Sequence, residues 1–161
     1  MSGGAHLSHR RILAASAAVV IALSGCGDGE SPAVDIDAPA LSGTPARQCA
    51  ALQRALPDQV ANLWSRDVRT DGVAAAWGAP TIVLRCGVTD ATGLGPAVRC
   101  DVIDGVGWFS EDLDDSYRFT TIGRSVPVEL TVPHDYAPEA DAAVDVAAAV
   151  KRAIPLQQPC V

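Results

Sequence analysis

The chain is poor in the side chains that most catalytic machinery uses. Of its 161 residues only three are histidine, and His6 and His9 lie within the first ten. His134 is therefore the one histidine left for a Ser-His-Asp or Cys-His arrangement in the body of the chain. There is no G-x-S-x-G elbow. Gly93-Leu94-Gly95 and Gly105-Val106-Gly107 each start a phosphate-loop pattern, but the sixth positions are Val98 and Ser110 rather than glycine. Neither lies between a strand and a helix, as a dinucleotide site requires. Lysine is almost absent: Lys151 stands alone, and arginine supplies the other basic residues. Acidic residues outnumber basic ones 19 to 12, for a formal charge of −7. That surface disfavours nucleic acid and anionic headgroups. No apolar run exceeds Ile12–Leu23, which as a helix spans about 18 Å. A bilayer core is about 30 Å thick, so this run is too short for a stop-transfer helix. No internal repeat is visible at solenoid periods.

What is present begins with an address. His6 to Arg11 is a charged segment, Ile12 to Leu23 is apolar, and Ser24-Gly25 are small, directly before Cys26. These are the three parts of an export signal. Leu23-Ser24-Gly25-Cys26 resembles the bacterial lipoprotein signal, the lipobox. The resemblance implies a diacylglyceryl group (palmitate-type chains) on the Cys26 thiol and cleavage that leaves Cys26 first. Two or more acyl chains hold a protein firmly to a bilayer. Residues 1–25 are expected to be the signal, 26–43 the lipidated cysteine with a flexible linker, and 44–161 a single domain. Loss of the signal removes Arg10 and Arg11 and takes the formal charge to −9. The linker, Gly27 to Gly43, is rich in Gly, Pro, Asp and Ser and has an expected span of about 23 Å.

Four further cysteines, Cys49, Cys86, Cys100 and Cys160, form an even set in an exported chain, so two disulfides are expected. No pair has zinc-ligand spacing. Chain entropy does not choose among the pairings. Closing 49–86 with 100–160 is worth about 8.1 kcal/mol, and 86–100 with 49–160 about 7.8.

Periodicity predicts an α+β two-layer sandwich, an antiparallel sheet of four to five strands with an N-terminal and a C-terminal helix. Thr44-Pro45 reads as a helix start, with Cys49, Leu52 and Leu56 on one face. Pro57 ends that helix or opens a short one to Trp64. From Arg66 to Ala79 the pattern is weak. Ile82, Leu84, Cys86 and Val88 alternate on one strand, and Val98, Cys100 and Val102 on the next. Asp104-Gly105 is a hairpin turn leading to Val106, Trp108 and Phe109. Glu111 to Asp115 reads as an acidic loop, and Tyr117 to Ile122 alternates again. Val126, Val128, Leu130 and Val132 share a face, and Pro127 predicts an edge strand or a bulge. Pro138 opens a last helix with Ala140, Val144, Ala147, Val150 and Ile154 as its apolar stripe.

Several stretches together resemble the actinobacterial domain of unknown function 3515 family. They are Cys49-Ala50-Ala51-Leu52 with Leu56-Pro57, Ala76-Trp77-Gly78, Ile82 through Val88, Gly105-Val106-Gly107-Trp108, and Gly123-Arg124 with Val126. The resemblance covers roughly residues 46 to 154. It implies an envelope protein facing outward from the cytoplasmic membrane and no known reaction. Members often start with a membrane-spanning helix, whereas this chain has a lipobox, which changes the anchor and not the side. The resemblance also favours Cys49 with Cys86, leaving Cys100 with Cys160; 86–100 is the alternative pairing.

The remaining candidates are few. Asp112, Asp114 and Ser116 fit the first positions of a calcium loop, but Tyr117 and Gly123 stand where Gly and Glu are required. Trp64, Trp77 and Trp108 are core plugs or partner contacts; Trp108 follows a turn beside the acidic run and is the best contact candidate. Arg85 alternates outward and is expected to pair with an acid or to meet an anion. No residue is assigned a catalytic, cofactor-binding or metal-ligating role. The resulting expectation is a non-enzymatic module on the outer face of the membrane, anchored through Cys26, that binds an envelope protein or cell-wall component and not nucleic acid. The alternative is a hydrolase or transferase of an envelope substrate using His134, Asp104 or Glu129.

Overall fold

Alternation of large apolar residues builds most of the sheet. In the computed structural model, which describes Met1, residues 32–89 and residues 99–160, twelve elements follow in order. They are β1 (Val34–Asp35), α1 (Gly43–Ala55), β2 (Gln59–Val60), β3 (Leu63–Arg66), β4 (Val68–Arg69), β5 (Val73–Trp77), β6 (Ile82–Cys86), β7 (Asp101–Ile103), β8 (Val106–Asp112), β9 (Ser116–Thr121), β10 (Val128–Pro133) and α2 (Ala140–Ala153). The signal, Cys26, Gly93-Leu94-Gly95 and Val98 lie outside the described residues. Among the described residues the fold is α+β, with two helices and one antiparallel sheet of eight strands, twice the expected number at the lower bound. The strand order is β2-β3-β5-β6-β10-β9-β8-β7.

The additional strands come from segments whose local signal is weak. Pro57 follows the end of α1, one of the two expectations there, and residues 57–64 form the β2–β3 hairpin rather than a second short helix, with Val60 opposite Leu63. Its two turn residues, Ala61 and Asn62, have φ of 49° and 62°. Two successive positive φ values make the turn that matches strand twist. β5 is Val-Ala-Ala-Ala-Trp, where alanine hides the period of two; Ala74, Ala76 and Trp77 are buried all the same. Pro127 sits just before β10 rather than within it. Its carbonyl accepts from the Gly87 N–H at 2.8 Å. β10 therefore needs no bulge and lies at the centre, between β6 and β9. The expectation of an edge strand is wrong here because proline obstructs a ladder only within it.

One face of the sheet, the inner face, carries Ile82, Leu84, Val128, Leu130, Val132, Val106 and Trp108, packed in one cluster with both helices. α1 contributes Cys49 and Leu52, and Cys49 is bonded to Cys86 of β6. Thr44 sits within the first turn rather than capping it, and its hydroxyl accepts from Arg47 at 2.7 Å. α2 buries Ala142, Ala143, Val146, Ala147, Ala149 and Val150. Ala147, Val150 and Ile154 of the expected stripe are buried, whereas Val144 is exposed and Val146 takes its place in the core.

The outer face is partly covered by the segment expected as a leash. β1 pairs in parallel with β4, and Ile36 and Ala38 are buried against Ala74 and Ala76, with Val68 and Val83 beside them. Burying Ile36 alone is worth about 1.5–3 kcal/mol, enough to hold residues 34–38 down. Residues 34–38 of the expected linker are thus packed on the sheet. At the other end, Cys100 is bonded to Cys160. The tail returns along the sheet: Ser125 donates to the Pro155 carbonyl at 2.9 Å, and Gln157 and Gln158 donate to Gly123 at 2.7 and 3.0 Å. The disulfide sulfurs lie over Gly107, where a Cβ would meet both of them.

Candidate functional site

Trp108, the best contact candidate in the sequence, is not available to a partner. It shares parity with Val106, so the same alternation that buries one buries the other, and its exposure is 0%. Its ring meets Phe119 edge-on at 6.2 Å. Trp77 is also a core plug, its indole N–H donating to the Pro57 carbonyl at 3.2 Å. The exposed tryptophan is Trp64, at 68%. Arg85 is an ion-pair residue. It donates twice to Oε1 of Glu129, its cross-strand neighbour, at 3.0 and 2.6 Å, and once to the Asp37 carbonyl at 3.1 Å.

The residues named for the enzymatic alternative are dispersed. Asp104 at the β7–β8 turn meets Lys151 at 3.0 Å, and Glu129 is held by Arg85. His134 meets Tyr117 with ring centroids 4.5 Å apart and planes inclined at 58°, and its Nε2 lies 3.2 Å from Asp112 Oδ1. Among the described residues, no hydroxyl or thiol is hydrogen-bonded to His134. No three His, Cys, Asp or Glu side chains among them form a metal-binding group. The acidic run is not a loop throughout. Glu111 and Asp112 belong to β8, and Glu111 takes two bonds from Arg118 at 2.9 and 3.1 Å. That bond raises the Arg118 pKa above its usual value.

What the structure does gather is a cleft of about 360 Å³ between the β7–β9 end of the sheet and the start of α2. Tyr117 and Phe119 line it with aromatic surface, and Ser110 and Ile103 lie beside them. Asp101 is paired with Arg99 and Glu111 with Arg118, and Asp112 and Glu139 add two further carboxylates to the lining. Arg99 donates to Asp101 at 2.8 Å and, with a smaller share from Ser110, holds that carboxyl below its ordinary pKa. A wider trough of about 780 Å³ runs between β1 and β4, but it has no ring in its walls. Asp35 and Arg69 pair there through two bonds of 2.7 and 2.8 Å, which leaves Asp37 and Asp71 as carboxylates with no aromatic surface beside them. The smaller cleft is the better binding surface, because it combines aromatic area with carboxylates in excess.

Sequence reasoning missed Asp101, Tyr117, Phe119 and Glu139 as neighbours. A signal existed in β8. Val106 and Trp108 are apolar at inner positions, and Ser110 and Asp112 continue the same parity with polar groups. A strand that changes from apolar to polar on one face is leaving the core for an opening.

These features define a disulfide-stapled α+β domain whose large antiparallel sheet is closed by helices on one face and open at its β7–β9 end. The chain belongs to the family described as protein of unknown function (DUF3515), whose model matches residues 11–159. Nothing among curated proteins or solved structures matches it.

Proposed function

We propose that this chain is a non-enzymatic binding module of the cell envelope, held to the outer face of the cytoplasmic membrane by lipid on Cys26, and that it takes a cationic partner in the β7–β9 cleft. The cleft is the observation that carries the reading. A guanidinium or ammonium group there meets the aromatic lining of Tyr117, with the largely buried Phe119 beside it, and the carboxylates of Asp112 and Glu139 together. The partner is an envelope protein or cell-wall component that presents such a group. The dispersal of His134, Asp104 and Glu129 supports binding over catalysis, since general acid, base and nucleophile have to converge on one point.

The test uses an octalysine peptide and its fully acetylated form, with amide shifts followed by NMR. Octalysine is expected to perturb Ser110, Tyr117 and Phe119, and the acetylated peptide none of them. Asp112→Asn with Glu139→Gln should weaken binding roughly 5-fold, the size of two partly exposed charge contacts. Shifts scattered over the whole acidic surface and indifferent to both substitutions would defeat the reading.

A further inference from the structure

We infer that Trp64 is a membrane-interface anchor that lays the β2–β3 edge of the sheet on the leaflet holding Cys26. The inference rests on the lipid-anchor reading above and adds an orientation to it.

Trp64 stands out first by its exposure. Trp77 and Trp108 are 1% and 0% exposed, yet Trp64 shows 68% of its surface. The hairpin does not need it there. Its turn is made by Ala61 and Asn62, and its inward side by Val60 and Leu63. Trp64 pairs across the ladder with Gln59, which is itself exposed.

The path of the chain supplies the second observation. Arg66, two residues along β3 and so on the same face as Trp64, donates through Nη2 to the Pro32 carbonyl at 2.9 Å. It is fixed by further bonds to the Gly78 carbonyl and the Thr81 hydroxyl. Cys26 precedes Pro32 by six residues, whose fullest extension is about 20 Å. Acyl chains on Cys26 therefore keep Pro32, and the edge that holds it, within about that distance of the bilayer. The opposite edge, β7, is six strand spacings beyond β3, or about 29 Å.

Charge agrees with this orientation. Near Trp64, Asp58, Asp67 and the Asp145 carboxylate that accepts from the Ala61 N–H stand beside Arg66, and Arg69 is paired with Asp35, so this edge carries few unpaired charges. The carboxylate-rich cleft lies at the far edge, away from anionic headgroups that would repel it. An indole, apolar with one N–H donor, is suited to the headgroup boundary. One ring binds a bilayer weakly from solution, but on a short tether the contact is intramolecular and its effective concentration high.

The full chain, produced with its signal in a host that processes lipoproteins, is reconstituted into phosphatidylcholine–phosphatidylglycerol vesicles with and without brominated acyl chains. Trp77 and Trp108 are shielded, so Trp64 is the reporter. Brominated lipid is expected to quench wild type at least about twofold more than Trp64→Phe, which should match wild type in circular dichroism. Equal quenching of the two proteins, with both floating with the vesicles, overturns the interface role and leaves the anchor reading intact. Failure to float, together with an unmodified Cys26 by intact mass, overturns the anchor reading and this inference with it.

Discussion

The two edges of the sheet solve the same problem in different ways. At the β2–β3 edge, a two-residue strand ends the sheet with a short hairpin, and a bare tryptophan projects from it. At the β7–β8 edge, a three-residue strand ends the sheet, but a disulfide, the returning tail and the end of α2 close over it. Lys151 donates to the Asp104 carbonyl at 2.7 Å, and the buried Arg124 donates to Ile154 at 2.9 Å and to Gly105 at 3.4 Å. Burial pushes the Arg124 guanidinium below its usual pKa, yet two carbonyls keep it bonded. An exposed strand edge invites pairing with another chain, and shortness and covering are two ways to prevent it. One edge is left free and small; the other is reinforced and carries the cleft.

Substituting the tryptophans tests that contrast most sharply. Trp108→Ala should cost about 3–5 kcal/mol in chemical unfolding, because it empties the core between β8 and α2. The same change at Trp64 should stay within about 0.5 kcal/mol, as for other exposed positions. Comparable costs would mean that the two edges are not as different as described. A smaller effect, about 1–3 kcal/mol, is expected for Gly107→Ala, whose Cβ has to displace the Cys100–Cys160 sulfurs. Hydrogen exchange should show the loss of protection at β7 and β8 with β2 and β3 unchanged. The smallest effect is electrostatic. Arg99 lowers the Asp101 pKa from its ordinary 3.8 in the folded state, so the ion pair stabilises the fold above that value. The contribution is lost as pH falls through the lowered pKa, below about pH 4. Arg99→Gln should remove that part of the acid sensitivity, read as a smaller difference in midpoint between pH 5 and pH 3.

The contrast also marks what was legible in the chain. β6 and the Asp104-Gly105 hairpin were readable because large apolar residues alternate there and a Gly follows an Asp at the turn, and α1 and α2 because apolar residues recur at helical spacing between prolines. β5 was not, since alanine carries no clear preference for either face. The β2–β3 hairpin was obscured by Pro57 and by an alanine in a left-handed turn position. The covering of the outer face by Ile36 and Ala38 depends on contacts with residues some 40 positions away, which no local pattern reports. The same holds for the cleft: parity points to Ser110 and Asp112, but the approach of Glu139 from α2 follows only from how the helix packs. The rank of the tryptophans reversed for a similar reason. Trp108 and Trp64 both lie near a hairpin turn, and only the layer on each side of the sheet decides which is covered.

The parallel pairing of β1 with β4 has a mechanical side. A pull applied upstream of Pro32 is transmitted almost at once to a two-residue ladder and to Ile36 beneath it. Under load the first part to yield would be that strip, peeling from β5 and β6 and baring Ala74, Ala76 and Val83, while the helices and both sulfur bridges on the remaining sheet stay in place.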